Sequence, residues 1–315
     1  MKRMRMGISK DLAEVQVIGI GQACVDYLGR LSGFPEEDSK AEMDALHIQC
    51  GGPASTALVT LSRLGIKTSF WGSISDDAFG KEIAKDLLLE GVDSTFLKIT
   101  PGHTSQFAFI AVTGDSGKRT VLWHRGTVPP LTPMDIDLRP YSSAAILHLD
   151  GLMIEASLEA ARQARARGLK VVLDAGTMRE GSLELASAVD VLIASERFAE
   201  PLMDVSSSAE DDLDALSRLT AGDVVITRGS KGSIGLHGGH VIRQASYPIK
   251  AVDTTGAGDV YHGAYIYGMI QGWDMPDCMR FASAASALKC MKMGARRGIP
   301  YLTQIEELMR SNPAI

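Results

Sequence analysis

Residues 251–266, Ala-Val-Asp-Thr-Thr-Gly-Ala-Gly-Asp-Val-Tyr-His-Gly-Ala-Tyr-Ile, constrain this chain more than any other stretch. Asp253-Thr254-Thr255 reads as a turn, because short polar side chains satisfy local backbone groups there. Gly256-Ala257-Gly258 lets the backbone pass close to something bulky. From about Ala257 the pattern is helical and largely apolar as far as Gly272. Backbone N–H groups therefore point out of a helix N-terminus, where the macrodipole adds positive potential, and such a place suits a phosphate. Asp259 stands in that first turn, poorly placed as a phosphate ligand and well placed as a base for an incoming hydroxyl. The same residues also read as an ordinary helix start, since Asp favours that position in any helix. Alone, the stretch leaves the two readings level.

The run Asp-Thr-Thr-Gly-Ala-Gly-Asp, followed by an aromatic residue and a Gly-Ala helix, resembles the C-terminal signature of the ribokinase-like (PfkB) carbohydrate kinases. That resemblance implies an α/β fold of three layers, a mostly parallel central sheet with helices on both faces, and a small β-sheet lid. It also implies ATP as phosphoryl donor, Mg2+, and K+ as a further cation. Asp259 would be the catalytic base, with the backbone of Gly256, Ala257 and Gly258 stabilising the transferring group.

Composition excludes several other classes. A chain of 315 residues, 45% hydrophobic and 22% charged, suits one large α/β domain. A formal charge of −6 gives no basic footprint for nucleic acid or an anionic membrane. No apolar run approaches a bilayer-spanning length. Met1–Met6 is basic but no apolar segment follows it, so it is not a signal peptide. Residues 1–14 read as a loose tail before a single kinase domain, 15–315. Cys24, Cys50, Cys278 and Cys290 form no C-x-x-C pair and read as core residues of a protein in a reducing cytoplasm.

Val15–Gly21 reads as a buried strand and turn. Gly19-x-Gly21-x-x-Cys24 nearly spells a dinucleotide fingerprint, which raises a dehydrogenase as a rival. Against it, Cys24 takes the third glycine position, and Gly29, Gly33 and Pro35 fall where the crossover helix belongs. In the resembled family the first strand instead leads to an Asp that holds sugar hydroxyls, a role that falls to Asp26; as a plain sequence feature Asp26 is also an ordinary turn residue. Gly51-Gly52-Pro53 opens a helix that ends at Leu64-Gly65. This resembles the family's N-terminal signature, Gly-Gly-x-x-x-Asn, and gives Gly51, Gly52 and Thr56 as sugar-site residues. Thr56 stands where the family has Asn, and a hydroxyl cannot do all that an amide does.

Residues 27–49 and 95–125 carry strand-like runs without intervening helices, and fit the lid. A Gly114–Gly117 turn joins two of them. Arg125, near the lid's return, reads equally as a contact for an anionic substituent and as a solvated cation. Asp76 and Asp77 read as helix-capping residues. From Ala144 the pattern is βαβα, the mark of a parallel sheet. The family's Asn-x-x-Glu, which organises magnesium through water, falls on Ser195–Phe198, so that Glu196 or Glu200 would have to substitute. Both also read as surface helix charges. Thr227-Arg228-Gly229-Ser230-Lys231-Gly232 is similar to the family's nucleotide loop and gives Thr227, Gly229 and Gly232, with Gly256 and Gly258, as nucleotide-binding residues. No ordinary P-loop occurs. Gly294–Pro300 is similar to a loop that borders a monovalent-cation site, which would include Asp253 and Thr255 through backbone oxygens.

Within the family, the missing Asn and altered Asn-x-x-Glu are more similar to ketohexokinase and sulfofructose kinase. The resemblance therefore implies an ATP-dependent kinase acting on a primary hydroxyl of a small ketose, fructose-like or a substituted fructose. Ribokinase- or nucleoside-kinase-type activity, and a silent sugar-binding homologue, are the alternatives. A homodimer through the lids is expected, because an off-core sheet would otherwise expose Phe107, Phe109 and Trp123.

Overall fold

The computed structural model describes residues 12–114, 118–202 and 208–312. Val17–Ile20 (β1) is buried at every position, and it pairs in parallel with Thr68–Trp71 (β4) and Ile146–Leu149 (β9). Parallel pairing continues through Lys170–Ala175 (β10), Val191–Ser195 (β11) and Asp223–Thr227 (β12). Ser233–His237 (β13) and His240–Gln244 (β14) then close that edge as an antiparallel hairpin over the Gly238-Gly239 turn. Among the described residues this is an eight-stranded sheet, ordered β14-β13-β12-β11-β10-β9-β1-β4. The near-continuous Val, Ile and Leu of its strands follow from burial on both faces.

Successive residues of a strand face opposite sides, and the core divides accordingly. Val17 and Ile193 belong to one apolar cluster and Ile18 and Leu192 to another. The first is covered by helices Pro53–Arg63 (α1), Ala78–Leu89 (α2), Ala257–Ile270 (α7), Met275–Cys290 (α8) and Leu302–Ser311 (α9). The second is covered by Ile154–Ala166 (α3), Ser182–Ser187 (α4), Glu196–Ala199 (α5) and Ala209–Ser217 (α6). α7 is apolar almost all round because it is buried between α1 and α8. Gly263 allows that contact, since a Cβ there would meet the Ala57 carbonyl at 2.6 Å.

A second sheet stands apart, ordered β3-β2-β7-β8. It comprises Cys24–Leu31 (β2), Ala45–Gly51 (β3), Phe107–Thr113 (β7) and Lys118–His124 (β8). Its central pair, β2 with β7, is parallel, and both outer pairs are antiparallel.

Several expectations change here. The lid begins at Cys24 rather than residue 27, so Asp26 lies within a lid strand and not at the end of the first core strand. The run near Thr95–Ile99 is not part of the lid: Lys98–Ile99 (β6) pairs with Ser73–Ile74 (β5) in a two-stranded ribbon. Residues 12–14 are not loose tail, because they form a 3₁₀ turn and Leu12 packs against the core. Residues 1–11 lie outside the described residues, as do 115–117 of the Gly114–Gly117 turn. No crossover helix follows Gly19 and Gly21, which removes the dinucleotide reading. A Cβ on Gly19 would meet Leu58, and one on Gly21 the Asp150 carboxylate. Asp77 does cap α2, accepting from the Gly80 N–H at 2.8 Å.

Candidate active site

The strand order reverses about β1 and β9, and sites in open α/β sheets gather at the carboxyl ends of such strands. Here those ends converge with the start of α7. Gly256 takes a left-handed backbone (φ 76°), which turns the chain into the helix, and a Cβ at this position would strike Ala295. Gly258 differs. Its φ is ordinary for a helix, it is exposed, and a Cβ there would find nothing within 4 Å. Gly256 shapes the turn, whereas Gly258 leaves space.

That space is the wall of a cavity of about 550 Å³, lined by Ala257 and Gly258 of α7, Thr227, Gly229, Ser230 and Gly232 of the loop after β12, Tyr247–Ile249, and Ser283, Ser286 and Ala287 of α8. The residues expected from sequence around a nucleotide thus share one surface, except Gly256, which does not line it. Glu196 holds this loop from the side: the Arg228 Nε donates to it at 3.1 Å and the Lys231 ammonium lies 3.5 Å away. Glu200 is exposed in the next turn.

Asp259 is partly buried in the first turn of α7. Its carboxyl is pushed up to about 6, first by burial and then by the negative charge of Asp174. Asp174, at the end of β10, rises to about 7 through burial. His262, one turn along α7, sits between them: its Nδ1 is 2.6 Å from the Gly258 carbonyl oxygen and 3.5 Å from Asp174. Burial holds the imidazole below its ordinary value, so it is neutral near pH 7. Neither Asp174 nor His262 was singled out from the sequence. Their importance arises from β10 lying under α7, which no local motif records.

On the lid side, Asp26 is buried with its carboxyl at about 6, again chiefly through burial, and the charge of Asp259 adds to the shift. The Cys24 thiol donates to it at 3.1 Å. Gly51, paired with Cys24 across the strands, has no Cβ, and one there would overlap the Asp26 carboxylate. Gly52 (φ 100°) then swings the chain into α1 past the Gln22 carbonyl. Thr56 lies one turn in, and its buried hydroxyl makes no hydrogen bond among the described residues. Arg125 stacks over Trp123 at 5.5 Å beside a small cleft shared with Gln22 and Ala23.

Arg119 of β8 was also missed by sequence reading. It donates to the Thr254 hydroxyl at 2.9 Å and lines the large cavity, so the lid touches the turn before α7. Its charge acts on Asp259, favouring the ionised carboxylate.

Below this turn, Asp253 is fully buried. Its Oδ1 accepts from the Thr255 N–H and hydroxyl, at 2.8 and 2.6 Å, and its Oδ2 from the Gly294 N–H at 2.7 Å. Its backbone carbonyl accepts from the Lys289 ammonium at 2.6 Å.

Comparison with known proteins gives the site its context. The pfkB family of carbohydrate kinases matches residues 16–302. A 5-dehydro-2-deoxygluconokinase from Shouchella clausii is 29% identical, covering 96% of this chain and 98% of its own. An Agrobacterium tumefaciens protein of known crystal structure, provisionally named a ribokinase, is 28% identical with a TM-score of 0.86, over 96% of this chain and 99% of that one. A provisionally named ribokinase II from E. coli, solved with ATP and Mg2+, shares the fold at 22% identity and a TM-score of 0.81, over 94% and 99%. With the match running from before β1 to the start of α9, the chain belongs to the pfkB family and is a carbohydrate kinase.

Proposed function

We propose that this kinase transfers the γ-phosphoryl group of ATP to a primary hydroxyl of a small ketose, with Asp259 as the base. One observation carries the reading: Asp259 stands in the first turn of α7, whose Ala257 and Gly258 line the same cavity as Thr227, Gly229 and Gly232.

Each part has a physical role. Asp26 accepts hydrogen bonds from sugar hydroxyls, which a carboxylate held by one thiol donor has capacity to do. Asp259 accepts the proton of the attacking hydroxyl. The N-terminal end of α7 and the dipole of that helix stabilise charge on the transferring phosphoryl group. Such a transition state is loose, so positioning and electrostatics supply most of the acceleration. Arg119 brings positive charge from the lid to the same place. The loop of Thr227, Gly229 and Gly232 and the α8 surface, which line one cavity, would hold the nucleotide.

Mg2+ fits the residues present. Asp174, at the end of β10, and Asp259, in the first turn of α7, are carboxylates close enough for the charge of the first to act on the second, and Mg2+ commonly takes one or two carboxylates with phosphate oxygens. When bound, the ion would neutralise charge building on the β- and γ-phosphates. Glu196 and Glu200, expected from sequence, would act only from farther out. Glu196 already pairs with Arg228 and Lys231.

A ketose bearing an anionic group is favoured over a plain pentose by Thr56 at the Asn position and by the Arg125 cation beside the start of β2. The 5-dehydro-2-deoxygluconokinase relative, by its name, acts on a keto sugar acid. A coupled ATP assay across ketoses, sulfosugars, keto sugar acids, aldopentoses and nucleosides tests this. Preference for an anionic ketose by kcat/KM supports it, and preference for ribose or a nucleoside overturns it.

The lid's outer face supports a homodimer. Cross-strand partners share a face, so the pairings align Ile48, Tyr27, Phe109 and Leu122 as one apolar row, with Ile48 56% and Leu122 57% exposed. Trp123, expected outward, instead aligns with Asp26 on the site-facing side. Two such rows related by a two-fold axis would cover each other.

A further inference from the structure

The expectation of a monovalent cation beside Asp253 meets a place where a positive charge of the protein's own already stands. An alkali ion needs several oxygens with free lone pairs turned inward. Both carboxylate oxygens of Asp253 already accept backbone or hydroxyl donors from Thr255 and Gly294. The backbone carbonyl at the head of the turn is taken as well, and by a positive charge of the protein's own. Lys289 comes from the last turn of α8 with no exposed surface, and its ammonium lies 2.6 Å from the Asp253 carbonyl oxygen and 4.0 Å from Oδ2.

We propose that the Lys289 ammonium is a tethered internal cation that takes the place of an alkali ion in organising the phosphate-binding turn, so that this kinase works without K+. The proposal rests on the assignment of residues 256–258 as the phosphate site. A buried lysine is costly unless paired, and this one stands beside the Asp253 carboxylate, with its charge also acting on Asp259. The connections run outward from there. The Asp253 carboxylate ties the 253–255 turn to Gly294. Gly298 lies so close to α8 that a Cβ there would meet the Lys289 carbonyl at 2.6 Å. Arg296, in the same loop, is buried against Asp86 and donates to the Ser55 hydroxyl at 2.8 Å. One ammonium thus joins α8, the turn that opens α7, and the loop that closes on α1. An exchangeable ion would fill the position only part of the time, whereas a tethered one is present at any salt composition.

The test compares KCl with choline chloride at equal ionic strength. In the parent protein the melting temperature without ligand, the ATP dissociation constant and turnover should agree between the two salts within about twofold. Lys289→Met keeps the length and removes the charge. It should weaken ATP binding by roughly tenfold or more and lower the melting temperature in either salt, because methionine fills the space. Lys289→Gly vacates it, and methylammonium or K+ should then restore both readouts in part. A parent protein stabilised or activated several-fold by K+ overturns the proposal. So does a Lys289→Met protein with unchanged melting and ATP affinity. If Lys289→Met does not fold, the salt comparison on the parent and the rescue of Lys289→Gly still decide. Melting and ATP binding need no sugar, so failure here is separable from failure to find the sugar substrate.

Discussion

The central sheet and the lid are built on opposite terms. In β1 every residue is buried, whereas in β8 every residue is exposed. The proposed nucleotide wall therefore rests on a core whose rigidity comes from close packing on both faces. The lid has a small apolar cluster of its own, Leu28, Ala108, Ile110 and Val112 against Met293, joins the large core through Val25, Cys50 and Tyr27, and keeps its place partly through polar links such as Arg119 to Thr254. Yet each contributes one of the two carboxylates on which the proposed chemistry depends. A site divided between a fixed wall and a lightly held one can open for sugar without disturbing the phosphate turn.

The largest way to break that division is at the fixed wall. Asp259→Asn should lower kcat by about a hundredfold or more, the usual scale of a general base, while calorimetry finds ATP and sugar binding nearly unchanged. Next is Gly258→Val. Since its Cβ enters open space, the melting temperature should stay within a few degrees while ATP affinity falls about tenfold or more. The matched change at Gly256, where φ is 76° and Ala295 is in the way, should instead damage folding, and equal behaviour of the two would end the distinction.

The lid carboxylate gives smaller effects with a definite pH signature. Asp26→Asn should raise the sugar KM by roughly tenfold and leave ATP affinity alone. In the folded protein its carboxyl stands near 6, against an ordinary 3.8. A raised value means that the folded form holds the proton more tightly. Its contribution to stability is complete below pH 4 and is lost as pH climbs through 6. Two units amount to roughly 3 kcal/mol, so Asp26→Asn should melt higher than the parent at pH 8 and lose that advantage near pH 4. For activity both carboxylates must be ionised, and both stand near 6. The kcat/KM profile should therefore fall steeply on the acid side below pH 6, with a slope approaching two. A flat profile down to pH 5 would contradict both assignments. The smallest expected effect is on assembly: Ile48→Asp, on the outward row, should turn a sedimenting dimer into monomer with at most a severalfold loss of sugar affinity.

Much of this was legible beforehand because it is local. A helix start with Gly-Ala-Gly-Asp, a Gly-Gly-Pro opening and a Thr-x-Gly loop each declare themselves over a few residues, and the cavity does gather Thr227, Gly229, Gly232 and Gly258. Arg119, Asp174 and Lys289 were not legible. An arginine in an exposed strand, an aspartate ending a buried one and a lysine in a helix are unremarkable until topology brings them to α7. The lid's boundary was misplaced for a related reason. Cys24–Tyr27 is as buried as a core strand (buried, buried, buried, half-buried), and alternation cannot tell which sheet a buried strand joins.

The parallel pairing of β2 with β7 has a consequence for how the protein comes to be folded. Residue 25 pairs with residue 107, and the chain between them supplies α1, β4 and α2 of the main body. Parallel strands cannot be joined by a hairpin, and closing so long a loop costs entropy that only prior structure offsets. The lid's middle therefore has no local route to formation. It must wait until the segment it brackets has docked on the core, so that strands of high sequence separation assemble late. During synthesis Asp26 emerges among the first residues, but the pairing that fixes its place must wait for the strand that ends at Thr113.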